Sequence, residues 1–158
     1  MTKEQAGTWT RTSRVIRARP EELYAAFLDP AALVDWLPPA EMTGRIHEFD
    51  ARVGGGYRMS LFYPPGERTF RGKTSDREDM IDVRFVELEP PRRIVEAVNF
   101  VTTDPAFSGE MTLTATFEAV SGGTEVTLMF ANLPPGLRTE DNETGSRLGL
   151  EQLARRFE

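Results

Sequence analysis

The stretch that most constrains the fold is the last one, Leu137 to Glu158, which the sequence predicts to be a single amphipathic helix. Thr139 is the predicted N-cap, and two carboxylates follow in the first turn, where free backbone N–H groups and the helix dipole favour negative charge. Apolar side chains recur at helical spacing along its C-terminal half and therefore share one face: Leu150, Leu153, Ala154 and Phe157.

The N-terminal half of that same face carries only small or polar residues, namely Asn142, Gly145, Ser146 and Gly149. Glycine weakens a helix by roughly 1 kcal/mol relative to alanine, so two glycines on one face indicate that the fold needs room there. Two interpretations account for this room. The helix either packs closely against a strand or forms the roof of an internal cavity.

The preceding chain predicts one strand, two short helices and then a series of strands. The first strand, near a sheet edge, is Trp9–Arg17, and prolines at positions 20 and 30 begin two short helices that end by Pro38. Glycines 54 to 56 are predicted to form a turn, and Asp76–Asp79 a charged loop. The later strands are predicted at Met42–Phe49, Tyr57–Tyr63, Thr69–Ser75, Met80–Leu88, Arg93–Phe100, Met111–Ala119 and Thr124–Phe130.

Apolar and polar residues alternate in the strongest of these strands, as they do in antiparallel sheets with one buried and one solvated face. The order of elements predicts an α+β fold in which a curved antiparallel sheet of about six to seven strands surrounds the C-terminal helix. At 158 residues, the chain is predicted to form one domain over residues 1–158.

Composition excludes several classes of function. A net charge of −6, from 19 basic and 25 acidic side chains, argues against binding to nucleic acid or to an anionic membrane surface. With no cysteine and one histidine, His47, the chain offers no thiolate or histidine metal site, and no metal or other cofactor is predicted. No apolar run is long enough to span a membrane, and no secretory signal precedes the first strand, so the cytoplasm is the expected location.

Glu96 is the candidate catalytic residue, although the strand Arg93–Phe100 admits two registers. In one register Glu96 lies with Val98 and Phe100 inside an apolar wall, where burial would raise its pKa and suit it to orient a ligand or to act as an acid or base. In the other register every side chain is inverted and Glu96 is solvated. His47 is predicted to lie on the surface.

Several segments resemble the START-like (SRPBCC) superfamily, and more narrowly the bacterial relatives of the C-terminal domain of the heat-shock-protein-90 ATPase activator. The resemblance extends from about Thr12 to the C-terminus. The matching segments are Arg19–Tyr24, Asp29-Pro30, Trp36, Asp50–Gly55 with Tyr57, Phe85–Val95, Gly123–Val126 and Gly145–Ala154.

The resemblance implies a helix-grip fold that encloses a hydrophobic cavity for an apolar molecule. Position 98 is often a large aromatic in such relatives and is valine here, and Ser146 stands where the helix often carries tryptophan, so the resemblance implies a roomier pocket. Together, the residues and the resemblance predict these ligand-binding positions: Trp36, Tyr57, Met59, Glu96, Val98, Phe100, Met111, Leu113, Asn142, Gly145, Ser146, Gly149 and Leu150.

Three functions follow as hypotheses. The first is binding of a small hydrophobic or amphipathic molecule in the cavity. The second is an enzyme of the cyclase or dehydratase kind, with Glu96 as acid or base and Tyr57 or Tyr63 as proton donor. The third is a chaperone-accessory role, which the resemblance alone implies.

Overall fold

In the part of the chain that the structure describes, seven strands form one curved antiparallel sheet, and three helices pack on it. The computed structural model describes residues 8–39, 41–64, 74 and 78–158. In chain order the elements are β1 (Trp9–Ile16), α1 (Pro20–Ala26), α2 (Pro30–Trp36), β2 (Thr43–Asp50), β3 (Gly56–Phe62), β4 (Glu78–Glu89), β5 (Arg93–Phe100), β6 (Met111–Val120), β7 (Gly123–Ala131) and α3 (Thr139–Phe157). This architecture confirms the predicted α+β helix-grip fold.

The strand order β1-β7-β6-β5-β4-β3-β2 makes β1 and β2 the two edges of the sheet. Strands β2 to β7 follow one another as neighbours, and β1 completes the sheet beside β7. The α1–α2 segment therefore carries the chain from one edge to the other. The predicted edge position of the first strand is confirmed.

The terminal helix α3 is anchored by its C-terminal half. Leu150, Leu153 and Ala154 are at most 1% exposed and belong to the main hydrophobic core, as their helical spacing predicts. The predicted N-cap is wrong by one residue. Arg138 occupies the N-cap position, and the Thr139 hydroxyl, already inside the first turn, donates to the Glu140 carboxylate at 3.0 Å instead of accepting from a backbone N–H.

The end of α2 is fixed from two sides, and this positions Trp36. Its indole Nε1 donates to the carbonyl of Ala26 at 3.0 Å. The Gln152 side chain on α3 donates to the carbonyls of Trp36 and Pro38 at 2.6 and 2.7 Å, which satisfies acceptors that the end of a helix leaves free. Trp36 is therefore held between α1 and α3.

Strand boundaries agree with the sequence prediction to the residue for β5 and within a residue or two for most others. The predicted loop Asp76–Asp79 is wrong at its end, because β4 begins at Glu78 and pairs Asp79 with Leu61. Pairing with β3 thus continues through both charged residues, Glu78 opposite Phe62 and Asp79 opposite Leu61. The predicted strand Thr69–Ser75 lies, apart from residue 74, outside the described residues.

Across the described ranges, no helix combines the length and apolar character needed to cross a membrane.

Candidate functional site

A cavity of about 210 Å³ lies between the sheet, the two short helices and the N-terminal half of α3. Exposed Asp141 lies on its wall, so the cavity reaches solvent beside the first turn of α3. Many of the residues predicted to bind a ligand line this cavity: Trp36, Tyr57, Glu96, Val98, Phe100, Met111, Leu113, Asn142, Gly145, Ser146 and Gly149.

The structure places Met59 and Leu150 in the packed core instead of on the described cavity wall. Met59 is 0% exposed, and its terminal methyl Cε lies 2.6 Å from the point where a side chain on Gly44 would begin, so it fills the space above that glycine. Leu150 is 1% exposed and packs with the core beyond the last lining glycine. Both residues therefore support the cavity from outside its wall.

Further lining residues come from segments that sequence reasoning did not assign to the site: Phe27, Leu33, Leu37, Pro39, Leu61, Asp79, Ile81, Val83, Leu128, Phe130, Leu137 and Asp141. Strand pairing is the signal that identifies the residues on β4. Val83 pairs directly with Tyr57, and directly paired side chains lie on the same face of a sheet, so a Tyr57 that faces the cavity places Val83 there too. Period-two alternation from Asp79 to Val83 places that face of β4 on the cavity as well.

The two glycines of the α3 face stand against open space. A side-chain carbon added at Gly145 would meet nothing within 4 Å, and one at Gly149 would lie 3.7 Å from the Trp36 ring, an ordinary van der Waals contact. Close packing does not require glycine at either position. The geometry therefore favours the interpretation in which this half of α3 roofs a cavity.

Glu96 points into the interior of the sheet. It pairs with Phe85 on β4 and Leu113 on β6, is only 3% exposed and lines the cavity. Among the described residues, no side chain or backbone group forms a hydrogen bond or ion pair with its carboxyl group. Burial raises the pKa of Glu96 to about 8, so the uncharged acid predominates at neutral pH.

Two phenol groups lie close to buried carboxyl groups. Tyr57 lines the cavity, and its burial together with the nearby charge of Glu96 raises the pKa of the phenol well above its ordinary value. Tyr63 donates its hydroxyl to Asp79 at 2.9 Å, and burial, followed by the charge of Asp79, raises the pKa of Tyr63. Both phenols therefore stay protonated at neutral pH and can donate hydrogen bonds. Asn142 accepts a short hydrogen bond from the Thr10 hydroxyl on β1.

His47 lies on β2 and is exposed, which confirms its predicted surface position. Its ring Nε2 forms a 2.8 Å hydrogen bond with the Ser60 hydroxyl on β3. Ser60 follows Met59 along the strand and so faces away from the cavity side. The histidine consequently takes no part in the cavity.

A family model described as Activator of Hsp90 ATPase homolog 1-like protein matches residues 17–158. The chain belongs to this family. The match includes every residue that lines the cavity.

Solved structures of bacterial proteins share the fold of this Hsp90-activator-homologue family member. A protein from Chromobacterium violaceum is 32% identical, with a TM-score of 0.83 and coverage of 94% of this chain and 95% of that one. Proteins from Rhodobacter sphaeroides and Rhizobium loti are each 24% identical, with TM-scores of 0.74 and 0.72; they cover 94% and 96% of this chain, and 91% and 97% of their own chains. A comparison with curated proteins finds no match.

Proposed function

We propose that this protein binds a small hydrophobic or amphipathic molecule in the cavity between the sheet and α3, and that it does so in the cytoplasm. The observation that carries the proposal is the open space beneath Gly145, on a wall that is mostly apolar and includes a buried carboxyl group. Ligand sites of this kind are largely preformed apolar spaces in which a few polar groups fix orientation. Glu96 and Tyr57 are the groups that would orient the ligand.

The size of the cavity sets the size of the ligand. An apolar cavity of about 150 Å³ holds benzene, so a cavity of about 210 Å³ suits one ring with a short substituent. An aromatic group of this kind buries roughly 150–200 Å², which at about 25 cal/mol per Å² contributes about 4–5 kcal/mol. Dissociation constants for simple probes are therefore expected near the millimolar to high micromolar range.

Filling the cavity from its roof tests this proposal. Gly145→Leu places an apolar side chain in the open space, and we expect the affinity for a neutral probe such as 2-phenylethanol to fall at least about 10-fold. The helix itself is expected to gain roughly 1 kcal/mol from the loss of glycine, so thermal unfolding should confirm that the variant is folded. Binding is measured by NMR titration of the protein.

Thr144→Leu is the matched control, because it adds a similar side chain to the exposed neighbouring position of α3. This variant is expected to retain the wild-type affinity for 2-phenylethanol. Equal affinity of wild type and folded Gly145→Leu, or failure of wild type to bind the probe in the millimolar range, would contradict the proposed function.

Proton transfer in the same cavity is the second candidate function. The observation that favours it is the position of Glu96, 3% exposed and on the cavity wall. Burial raises the pKa of this carboxyl group to about 8, and a group with such a pKa exchanges protons readily near neutral pH. Glu96 would act as acid or base toward a cyclisation or dehydration, with Tyr57 as the donor. An activity assay in which Glu96→Gln turns over a substrate as fast as wild type would exclude this mechanism.

No contact among the described residues supports the chaperone-accessory role.

A further inference from the structure

The described cavity wall carries acidic side chains and no basic ones. Asp79, Glu96 and Asp141 line the cavity, and none of the lining residues in the described ranges is lysine, arginine or histidine. A carboxylate or phosphate ligand would therefore enter an apolar space that offers no positive partner among the described residues, beside the buried acid Glu96, which is electrostatically unfavourable. The wall selects against anions and favours a ligand that brings positive charge.

Glu96 provides the specific partner for such a charge. It is only 3% exposed, it lines the cavity, and it has no hydrogen bond or ion pair with the described residues. Asp79 differs, because its carboxylate already accepts a hydrogen bond from Tyr63. A buried carboxylate is stable only when it is paired, so an ammonium group on the ligand would supply the contact that Glu96 lacks.

Aromatic rings on the wall strengthen this preference. Phe27, Trp36, Tyr57 and Phe100 come from separate elements and line the same space. The face of an aromatic ring attracts a cation that lies within about 6 Å of its centre. The rings therefore accommodate both the apolar body of a ligand and the positive end of the molecule.

We propose that the ligand is a small primary arylalkylamine whose ammonium group pairs with the Glu96 carboxylate while its ring occupies the apolar part of the cavity. This inference rests on the proposed function, because it names the chemical class of the molecule bound there. A metal ion is a poor alternative occupant, since no three acidic or histidine side chains converge anywhere in the described part of the chain.

Pairing with an ammonium group links binding to proton release from Glu96. In the free protein the acid is mostly protonated at neutral pH, and the amine, with a pKa of about 10 like that of lysine, is charged. Binding of the cation therefore displaces the Glu96 proton. Besides Glu96, the titratable residues on the described cavity wall are Tyr57, Asp79 and Asp141. None of the other lining residues, from any of the elements packed around Glu96, has an ionisable side chain.

The test compares three probes of nearly equal size: phenethylamine, 2-phenylethanol and phenylacetate, titrated calorimetrically into the wild-type protein at about pH 8. We expect phenethylamine to bind at least about 10-fold more tightly than 2-phenylethanol, and phenylacetate to bind more weakly than either. Wild-type affinity for phenethylamine should rise by roughly 50-fold between about pH 6 and pH 8, because the ionised fraction of Glu96 rises by that factor.

Glu96→Gln completes the test, because it removes the carboxylate and keeps the shape of the side chain. We expect the ratio of phenethylamine to 2-phenylethanol affinity to fall to about 1 in this variant, and its pH dependence to disappear. Equal affinities for the amine and the alcohol in wild type, or tighter binding of phenylacetate, would overturn the amine proposal while leaving cavity binding intact. Failure of all three probes to bind would instead refute the proposed function itself.

Discussion

Glu96→Gln is expected to stabilise the folded protein by about 3 kcal/mol near pH 7, with little gain below about pH 4. The reason is the burial of an acid that has no partner among the described residues: the folded state holds Glu96 protonated to about pH 8, whereas the unfolded chain ionises it near its ordinary value of 4.5. Each pH unit of this difference corresponds to about 1.36 kcal/mol. Glutamine mimics the protonated acid and has no charge to desolvate.

The direction of the pH dependence follows from proton binding. Between about pH 4.5 and pH 8 the folded protein binds more protons at this site than the unfolded chain, so its stability falls as the pH rises. Above about pH 8 both states are ionised at Glu96, and the loss levels off. The raised pKa thus destabilises the protein at neutral pH, in contrast to a salt-bridged carboxylate.

Thermal unfolding of both proteins from about pH 4 to pH 9 measures this effect. For a chain of this size, 3 kcal/mol corresponds to a rise of about 6–12 °C in Tm. Glu118→Gln is the control, because Glu118 is an exposed acid on the neighbouring strand β6 and its replacement should leave Tm nearly unchanged. A Glu96→Gln variant no more stable than wild type at pH 7 would show that Glu96 is ionised or solvated in the folded protein.

Trp36→Ala is expected to destabilise the protein by about 3–5 kcal/mol, the range for removal of a large buried aromatic side chain. Trp36 is 1% exposed, its ring lies 4.6 Å from that of Phe27 between centroids, and its indole satisfies the carbonyl of Ala26. The substitution removes these contacts and enlarges the cavity beneath Gly149. Because Gln152 ties the end of α2 to α3, the surroundings can collapse into that space only in part.

Urea denaturation monitored by circular dichroism measures the loss, with Trp9→Ala as the control. Trp9 is the other tryptophan of the chain and is 57% exposed on the edge strand β1, so its truncation should change the free energy of unfolding by less than about 0.5 kcal/mol. Losses of similar size in the two variants would argue against the central position of Trp36. A decrease of less than about 1 kcal/mol in the free energy of unfolding of Trp36→Ala would argue against that position as well.

The fold is predictable from local patterns because each element carries its own signal. The alternation in β6 and β7 indicates one buried and one solvated face, and prolines 20 and 30 mark the starts of the two short helices. The family resemblance then supplied the arrangement that joins them. The error at Asp79 arose because two acidic residues at a strand start look like a loop when the pairing partner on β3 is not known.

The orientation of Glu96 could not be decided from sequence, for a physical reason. β5 lies in the middle of the sheet, and both of its faces are buried: Val95 and Ala97 on one face are 9% and 4% exposed, while Ile94 and Val98 on the other are 0% and 5% exposed. A strand covered on both sides shows no apolar–polar alternation, so its register is fixed only by its neighbours.

The difference between a cavity wall and a packed core is equally invisible in sequence. Met59 and Val98 are both buried apolar residues in strands, yet Met59 fills space beside Gly44 and Val98 faces the cavity. Both environments require apolar side chains, and only the distances between elements tell them apart. The glycines of α3 were the one local signal of empty space.

The most direct test of ligand binding in this cavity is a crystal structure of the protein soaked with 2-(4-bromophenyl)ethanol, with the bromine located by its anomalous scattering. We expect a bromine peak inside the space bounded by Trp36, Val98 and Gly145, with the hydroxyl end of the probe toward Glu96. A cavity closed by its own side chains, with no bromine peak inside it at millimolar probe, would contradict ligand binding in this cavity.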